Sequence, residues 1–174
     1  RIDFASDTNL RDTASLTIAK TGATGVGNAN NGWAVAGSIS GVSAAWTGLS
    51  NVDRIDYSTN YSAVSKTPFV RTTVNAAGIS NLNYGWIAGT DRFNVGMSYV
   101  DRYDFSNDIS INRATLQSNR ANPAGAGNAY YGWFGGGYSP GNIYNSSIER
   151  VTYASDTSST LRGPLSAGRL SLTA

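Results

Sequence analysis

Residues 52–58 read Val-Asp-Arg-Ile-Asp-Tyr-Ser and residues 100–106 read Val-Asp-Arg-Tyr-Asp-Phe-Ser, nearly the same seven letters 48 positions apart. An enzyme seldom needs one heptad twice, because chemistry converges on single copies of different side chains; a scaffold does need it. Working outward, Arg1-Ile-Asp-Phe4, Arg54-Ile-Asp-Tyr57, Arg102-Tyr-Asp-Phe105 and Arg150-Val-Thr-Tyr153 begin at spacings of 53, 48 and 48 residues. A second signature, N-x-x-x-G-W, keeps the period at Asn28 to Trp33, Asn81 to Trp86 and Asn128 to Trp133. A basic residue follows each heptad start by 17 to 19 positions, as Lys20, Arg71, Arg120 and Arg169, with Pro68 and Pro164 ahead of two of them. After the tryptophan comes a small pair, Ala88-Gly89, Gly135-Gly136 and, one place later, Ala36-Gly37. Linked signals at one period mark tandem duplication, in which each copy buries its neighbour.

Local patterning says what a copy is made of. Ile55 and Tyr57 alternate with charged neighbours, the period of two expected of a strand. The following Ser-Thr-Asn or Ser-Asn-Asp is turn chemistry, and Ala63 to Thr67 and Ile111 to Leu116 read as return strands. Thr72 to Gly78 and Tyr84 to Gly89 give a second strand pair, one rich in small residues and one aromatic. No stretch carries apolar residues at helical spacing with caps over three turns. Each unit therefore holds four short strands, with repeats starting near 1, 54 and 102 and a partial one at 150, in a single region spanning 1–174.

Composition bounds the function. Charged residues are 14% of the chain against 40% apolar, and the net charge of +2 is dispersed, so nothing asks for nucleic acid or an acidic membrane. No apolar run approaches the roughly 20 residues that cross a bilayer as a helix, so no membrane insertion is expected. Cysteine and histidine are both absent, which removes thiol nucleophiles, disulfides and nearly every transition-metal site. Arg1 has no methionine before it and lies inside a repeated heptad, which suggests a fragment or processed piece.

Four strands in about 48 residues, repeated, is the recipe for a β-propeller blade. The order Val52 to Tyr57, Pro68-Phe-Val-Arg71, small residues, then Tyr84 to Gly89 resembles the kelch repeat, whose blade carries an arginine-aromatic-aspartate strand, a proline followed by arginine, and an aromatic strand ending in a glycine pair. The first copy departs through its longer insert and its displaced Ala36-Gly37. The wording of "RGPLSAGR" and "GNAYYGWFGGG" further resembles tandem kelch-like repeats of marine cyanophage virion proteins. That resemblance implies a tail- or fibre-associated structural protein, extracellular or in the virion, assembled with other virion subunits or as a homo-oligomer. The fold expected is all-β and kelch-like, with four-stranded antiparallel blades, as part of a longer array or as a small ring. The chain opens on the second hairpin of one blade, runs through three complete blades, and ends on the first strand of another.

Repeated residues are expected to be structural: Arg54, Arg102, Arg150, Asp56 and Asp104 as blade-to-blade bonds or turn caps, and Trp33, Trp86 and Trp133 as packing between sheets. Function is sought where the copies differ, in the segments joining second and third strands. There Trp46, Phe93, Tyr138 and Tyr144, with Asn94, Asn142 and Asn145, are placed to stack on sugars and bond hydroxyls, or to touch neighbouring subunits. A glycosidase needs two carboxylates about 5 to 10 Å apart. Glu149, the one glutamate, falls at the repeat position of Asp53 and Asp101, and Asp91 lacks an identifiable partner. Asp3 to Asp7 and Asp104 to Asp108 offer oxygens at turn spacing, but calcium wants about six to eight of them, and turn capping is the expectation. The reading is a non-enzymatic structural and binding module without cofactor or metal. It presents loops to a host-surface glycan or protein; the competing class is a cytoplasmic kelch scaffold for a peptide or protein.

Overall fold

The computed structural model describes residues 15–39, 47–59, 61–92, 95–141 and 143–170. Three antiparallel sheets follow one another along the chain, and no helix occurs among the described residues. The first holds β1 (Thr24–Gly27), β2 (Asn31–Ile39), β3 (Thr47–Asp56) and β4 (Val64–Lys66), paired in chain order. The second holds β5 (Ala77–Ser80), β6 (Tyr84–Ala88), β8 (Val95–Asp104) and β9 (Ile109–Arg120), with the short β7 (Asp91–Arg92) paired to the start of β8. The third holds β10 (Ala124–Gly127), β11 (Tyr131–Gly135), β14 (Ser147–Thr152) and β15 (Thr160–Pro164). A two-stranded hairpin, β12 (Tyr138–Ser139) with β13 (Ile143–Tyr144), stands between its central strands.

Register ties the sheets to the sequence signals. Trp33 pairs with Arg54, Trp86 with Arg102 and Trp133 with Arg150, so the two motifs lie opposite each other in every sheet. The asparagine that opens N-x-x-x-G-W makes the hairpin: the Oδ1 of Asn28, Asn81 and Asn128 accepts from two backbone N–H groups in its own turn, at 2.8 to 3.0 Å. The motif glycine leaves room for the sheet before it, since a Cβ on Gly85 would meet Val26 and one on Gly132 would meet Ile79.

Side chains alternate across each strand, and that alternation splits the core. Ile87, Tyr103 and Phe105 of the second sheet pack with Val26, Trp33, Val35 and Val52 of the first. Trp86, Ala88, Val100 and Ile79 point the other way and pack with Phe134, Val151 and Tyr153 of the third. The apolar interior thus lies between sheets, and each sheet is covered by its neighbour.

Two local expectations shift. The strand read over Thr72 to Gly78 begins only at Ala77, because Asn75 adopts a left-handed backbone at φ 55° that ends extended structure there. The first copy's displaced Ala36-Gly37 is a register shift between Val35 and Gly37 in the β2–β3 ladder, with Ala36 at φ 57°. The extra residue is a bulge, which puts the small pair one place out of step.

Candidate functional site

Successive sheets are clasped by repeated side chains, so the structural baseline can be set apart from what is left over. The Trp33 ring lies parallel to Phe105 at 4.0 Å, and Trp86 to Tyr153 at 4.2 Å. Each indole Nε1 donates to a turn aspartate of the following sheet, Trp33 to Asp108 and Trp86 to Asp156 at 2.7 Å. Arg102 and Arg113 also meet Asp156, each at 2.6 Å, and Lys66 meets Asp108 at 3.0 Å. Both aspartates sit in left-handed backbone, φ 59° and 51°, which asparagine and aspartate tolerate best after glycine. Asp56 and Asp104 cap their own turns, accepting from the N–H and hydroxyl of Ser58 and Ser106. Those bonds hold the exposed Asp56 carboxyl below its ordinary value. The roles expected from repetition are shown for Arg102, Asp56, Asp104, Trp33 and Trp86.

The recurring basic residue has a role that the sequence did not disclose. Lys20 pairs with Asp53 at 3.1 Å, Arg71 with Asp101 through two bonds, and Arg120 with Glu149. Each cation lies just before the first strand of a sheet and reaches an acid on the third strand of that sheet. The acids are buried and further bonded: Asp53 by Thr17 and Asn51, Asp101 by Asn112, Glu149 by the Gln117 N–H and Ser159. Burial pulls Arg120 below its ordinary value while Glu149 opposes that shift. Buried charges that are paired and hydrogen-bonded in this way act as clasps.

In a four-stranded meander the loop between the central strands falls at the end where the first strand begins. The divergent loops and the buried ion pairs therefore share one end of each sheet, as the bridges Thr21 to Ser38 and Ala121 to Tyr138 confirm for the first and third. Among the residues singled out there, Trp46, Phe93, Asn94 and Asn142 lie outside the described residues. Tyr138 and Tyr144 face each other across the β12–β13 hairpin, with opposite fates. Tyr138 is 9% exposed and offers little ring to a ligand; Tyr144 is 58% exposed, beside Ile143 at 64%. The hairpin is pinned at its base: Asn145 N–H donates to the Gly137 carbonyl at 2.8 Å and its Nδ2 to Ser139 Oγ at 2.9 Å. From outside, Gly137 N–H donates to the Arg169 carbonyl at 2.8 Å. Asn145 therefore holds the loop, while Tyr144 is presented on a fixed base.

A second candidate went unseen in the sequence. Tyr99 lies beneath the Arg71 guanidinium at 4.0 Å, and with Thr73, Thr90 and Asp101 they line a small open cleft at the same end of the second sheet. Arg71 remains 26% exposed where Lys20 and Arg120 are sealed. The signal was available: Tyr99 stands where the other copies carry Asn51 and Ser147, three places before the heptad arginine. Among the described residues no group of three or more acidic side chains gathers as a metal site would require. Asp108 is committed to Trp33, Tyr103 and Lys66.

No protein-family model matches the sequence. No curated protein matches it either.

Proposed function

We propose that the chain is a kelch-like propeller segment that works as a rigid, non-catalytic display module. Its divergent loop end contacts a glycan or protein on a host surface, as part of a phage tail or fibre assembly. The observation that carries this reading is the contrast within the sheets. The turn asparagines, the Trp–Arg register and the basic–acidic clasps recur in all three, whereas the loops between central strands share neither length nor letters. Repetition serves the frame, and the divergent central loops lie at one end, where Tyr144 and the Arg71–Tyr99 pair leave aromatic surface open. Aromatic faces beside polar groups suit sugar rings, and many weak contacts displayed together gain avidity. The virion setting rests on the resemblance of the repeat wording to cyanophage virion repeats. The clasping of five carboxylates, Asp53, Asp101, Glu149, Asp108 and Asp156, by protein cations supports a role without catalysis.

Screening the protein on a glycan array tests this directly. Binding that is lost in Tyr144→Ala or Tyr99→Ala, with circular dichroism unchanged, is the expected result. An empty array together with capture of a single cytoplasmic peptide would favour the scaffold reading instead. Immunogold labelling of phage particles carrying the protein tests the setting, with label on an appendage as the expected outcome.

A further inference from the structure

The clasp of the second sheet stays open where those of the first and third are complete. Three acceptors meet the three protons of Lys20 Nζ: the Ala34 carbonyl at 3.1 Å, Asn51 Oδ1 at 3.2 Å and Asp53 at 3.1 Å. Arg120 gives Nη1 to the Gly136 and Ser147 carbonyls and Nη2 to Ser118, Ser147 and Glu149. The residue three places before the heptad arginine, Asn51 or Ser147, thus helps to seal each cation. In the second sheet that residue is Tyr99, which meets the guanidinium with a ring face and no oxygen. Asp101 takes Nε and Nη2 of Arg71, and no acceptor among the described residues meets Nη1.

A neighbouring group also lacks a partner. Thr73 is 4% exposed, and its backbone is spent on the first sheet: its N–H donates to the Leu49 carbonyl, and its carbonyl accepts from Gly37. Its hydroxyl has no hydrogen-bond partner, a costly state for a buried polar group. Thr73 lines the same cleft as Arg71, Tyr99 and Asp101, and the open volume there is ≈ 10 Å³, about what one water-sized group fills. Gly89 lines it as well. It is the counterpart of Gly136, whose carbonyl Arg120 holds, since each glycine stands three places after the motif tryptophan.

We propose that this cleft is a subsite for one hydroxyl group of an uncharged sugar. The hydroxyl accepts from Arg71 Nη1 and bonds Thr73 Oγ1, and a hydroxyl suits both because it donates and accepts at once. Tyr99, 43% exposed, supplies the apolar platform on which the sugar's C–H groups rest. A carboxylate or sulfate does not fit, because Asp101 neutralises Arg71 within the same cleft and a second anion would lie against that buried charge. The inference rests on the glycan-display reading and narrows it to neutral sugars held in part by the second sheet.

Titration with the methyl glycosides of glucose, galactose and mannose, and with glucuronic acid as the charged comparison, tests it by NMR at the Thr73 methyl group. At least one neutral glycoside should shift that signal saturably, and glucuronic acid should bind more weakly. Thr73→Val keeps the shape and removes the unbonded hydroxyl, so it should melt at an unchanged or higher temperature and bind about tenfold more weakly. Tyr99→Asn supplies the side chain that seals the first sheet's cation and should abolish the shift. Binding that Thr73→Val leaves unchanged, tighter binding of glucuronic acid, or no shift with any neutral glycoside overturns the subsite. The two readings fail separately. Glycan-array binding that is lost in Tyr144→Ala but kept in Thr73→Val would retain display and remove the subsite. Saturable shifts at Thr73 beside an empty array would retain the subsite and remove display to a host glycan.

Discussion

Glu149 shows how far a single residue could be read from the letters. Its alignment with Asp53 and Asp101 is visible in the repeat, and so is the recurrence of Lys20, Arg71 and Arg120. That the two series meet is not, because each pair is separated by some thirty residues, with the cation just before a sheet's first strand and the acid on its third. Periodicity tells which positions are equivalent and says nothing of which equivalents touch. The consequence is measurable. Arg120 and Glu149 are 0% and 1% exposed, so Glu149→Ala leaves a buried guanidinium uncompensated and should cost about 3–5 kcal/mol in urea unfolding. Arg120→Met/Glu149→Leu together should cost less than Glu149→Ala alone, since both charges then leave the interior. A double variant weaker than the single would mean that the pair itself, and not the stranded charge, carries the stability. Among the candidate loop residues, Tyr144 was legible as exposed and Tyr138 was not legible as buried. Both are tyrosines in a turn-rich stretch, paired directly across the hairpin, and what packs around each ring in the fold sets its burial.

The strands themselves were legible where alternation and turn chemistry agreed. Tyr84 to Gly89 was expected and β6 runs Tyr84–Ala88; the return strand expected over Ala63 to Thr67 is β4 at Val64–Lys66. The expected start at Thr72 failed because small and β-branched letters look extended, while left-handed Asn75 is a decision of tertiary context. Close approach between the first strands of successive sheets was also hidden, and it gives a paired test. A Cβ on Gly78 would lie 2.5 Å from the Gly25 carbonyl oxygen, and one on Gly125 would lie 2.7 Å from that of Gly78. Gly25 has nothing within 4 Å. Gly78→Ala should therefore cost about 1–3 kcal/mol through overpacking, while Gly25→Ala should be neutral or slightly stabilising. Equal effects on the melting temperature at the two sites would separate the first strands from one another.

At the scale of the whole molecule, the all-β class and the tandem order of four-stranded sheets were readable from the period, and the placement of the core between sheets follows from alternation. One pH response follows from that placement. Burial pushes the Tyr153 phenol up to about 12, and burial beside Asp108 raises Tyr103 as well. Tyrosine in an unfolded chain titrates near ~10, so above that pH the unfolded state loses protons that the native state keeps. The contribution is whole below pH ~10 and drains as pH rises toward the folded values. Melting temperature should hold steady up to pH ~9.5 and fall beyond it. Tyr153→Phe should flatten that fall and leave neutral-pH stability intact, because the buried hydroxyl has no partner among the described residues.

The ordering of the sheets, each covering the next, is tested most directly by double-mutant cycles in urea unfolding at Trp33/Phe105, Trp86/Tyr153 and the crossed pair Trp33/Tyr153. Coupling of about 0.5–1.5 kcal/mol is expected within each matched pair, with additivity in the crossed one. Matched pairs that add without coupling, or a crossed pair that couples as strongly, would contradict the arrangement.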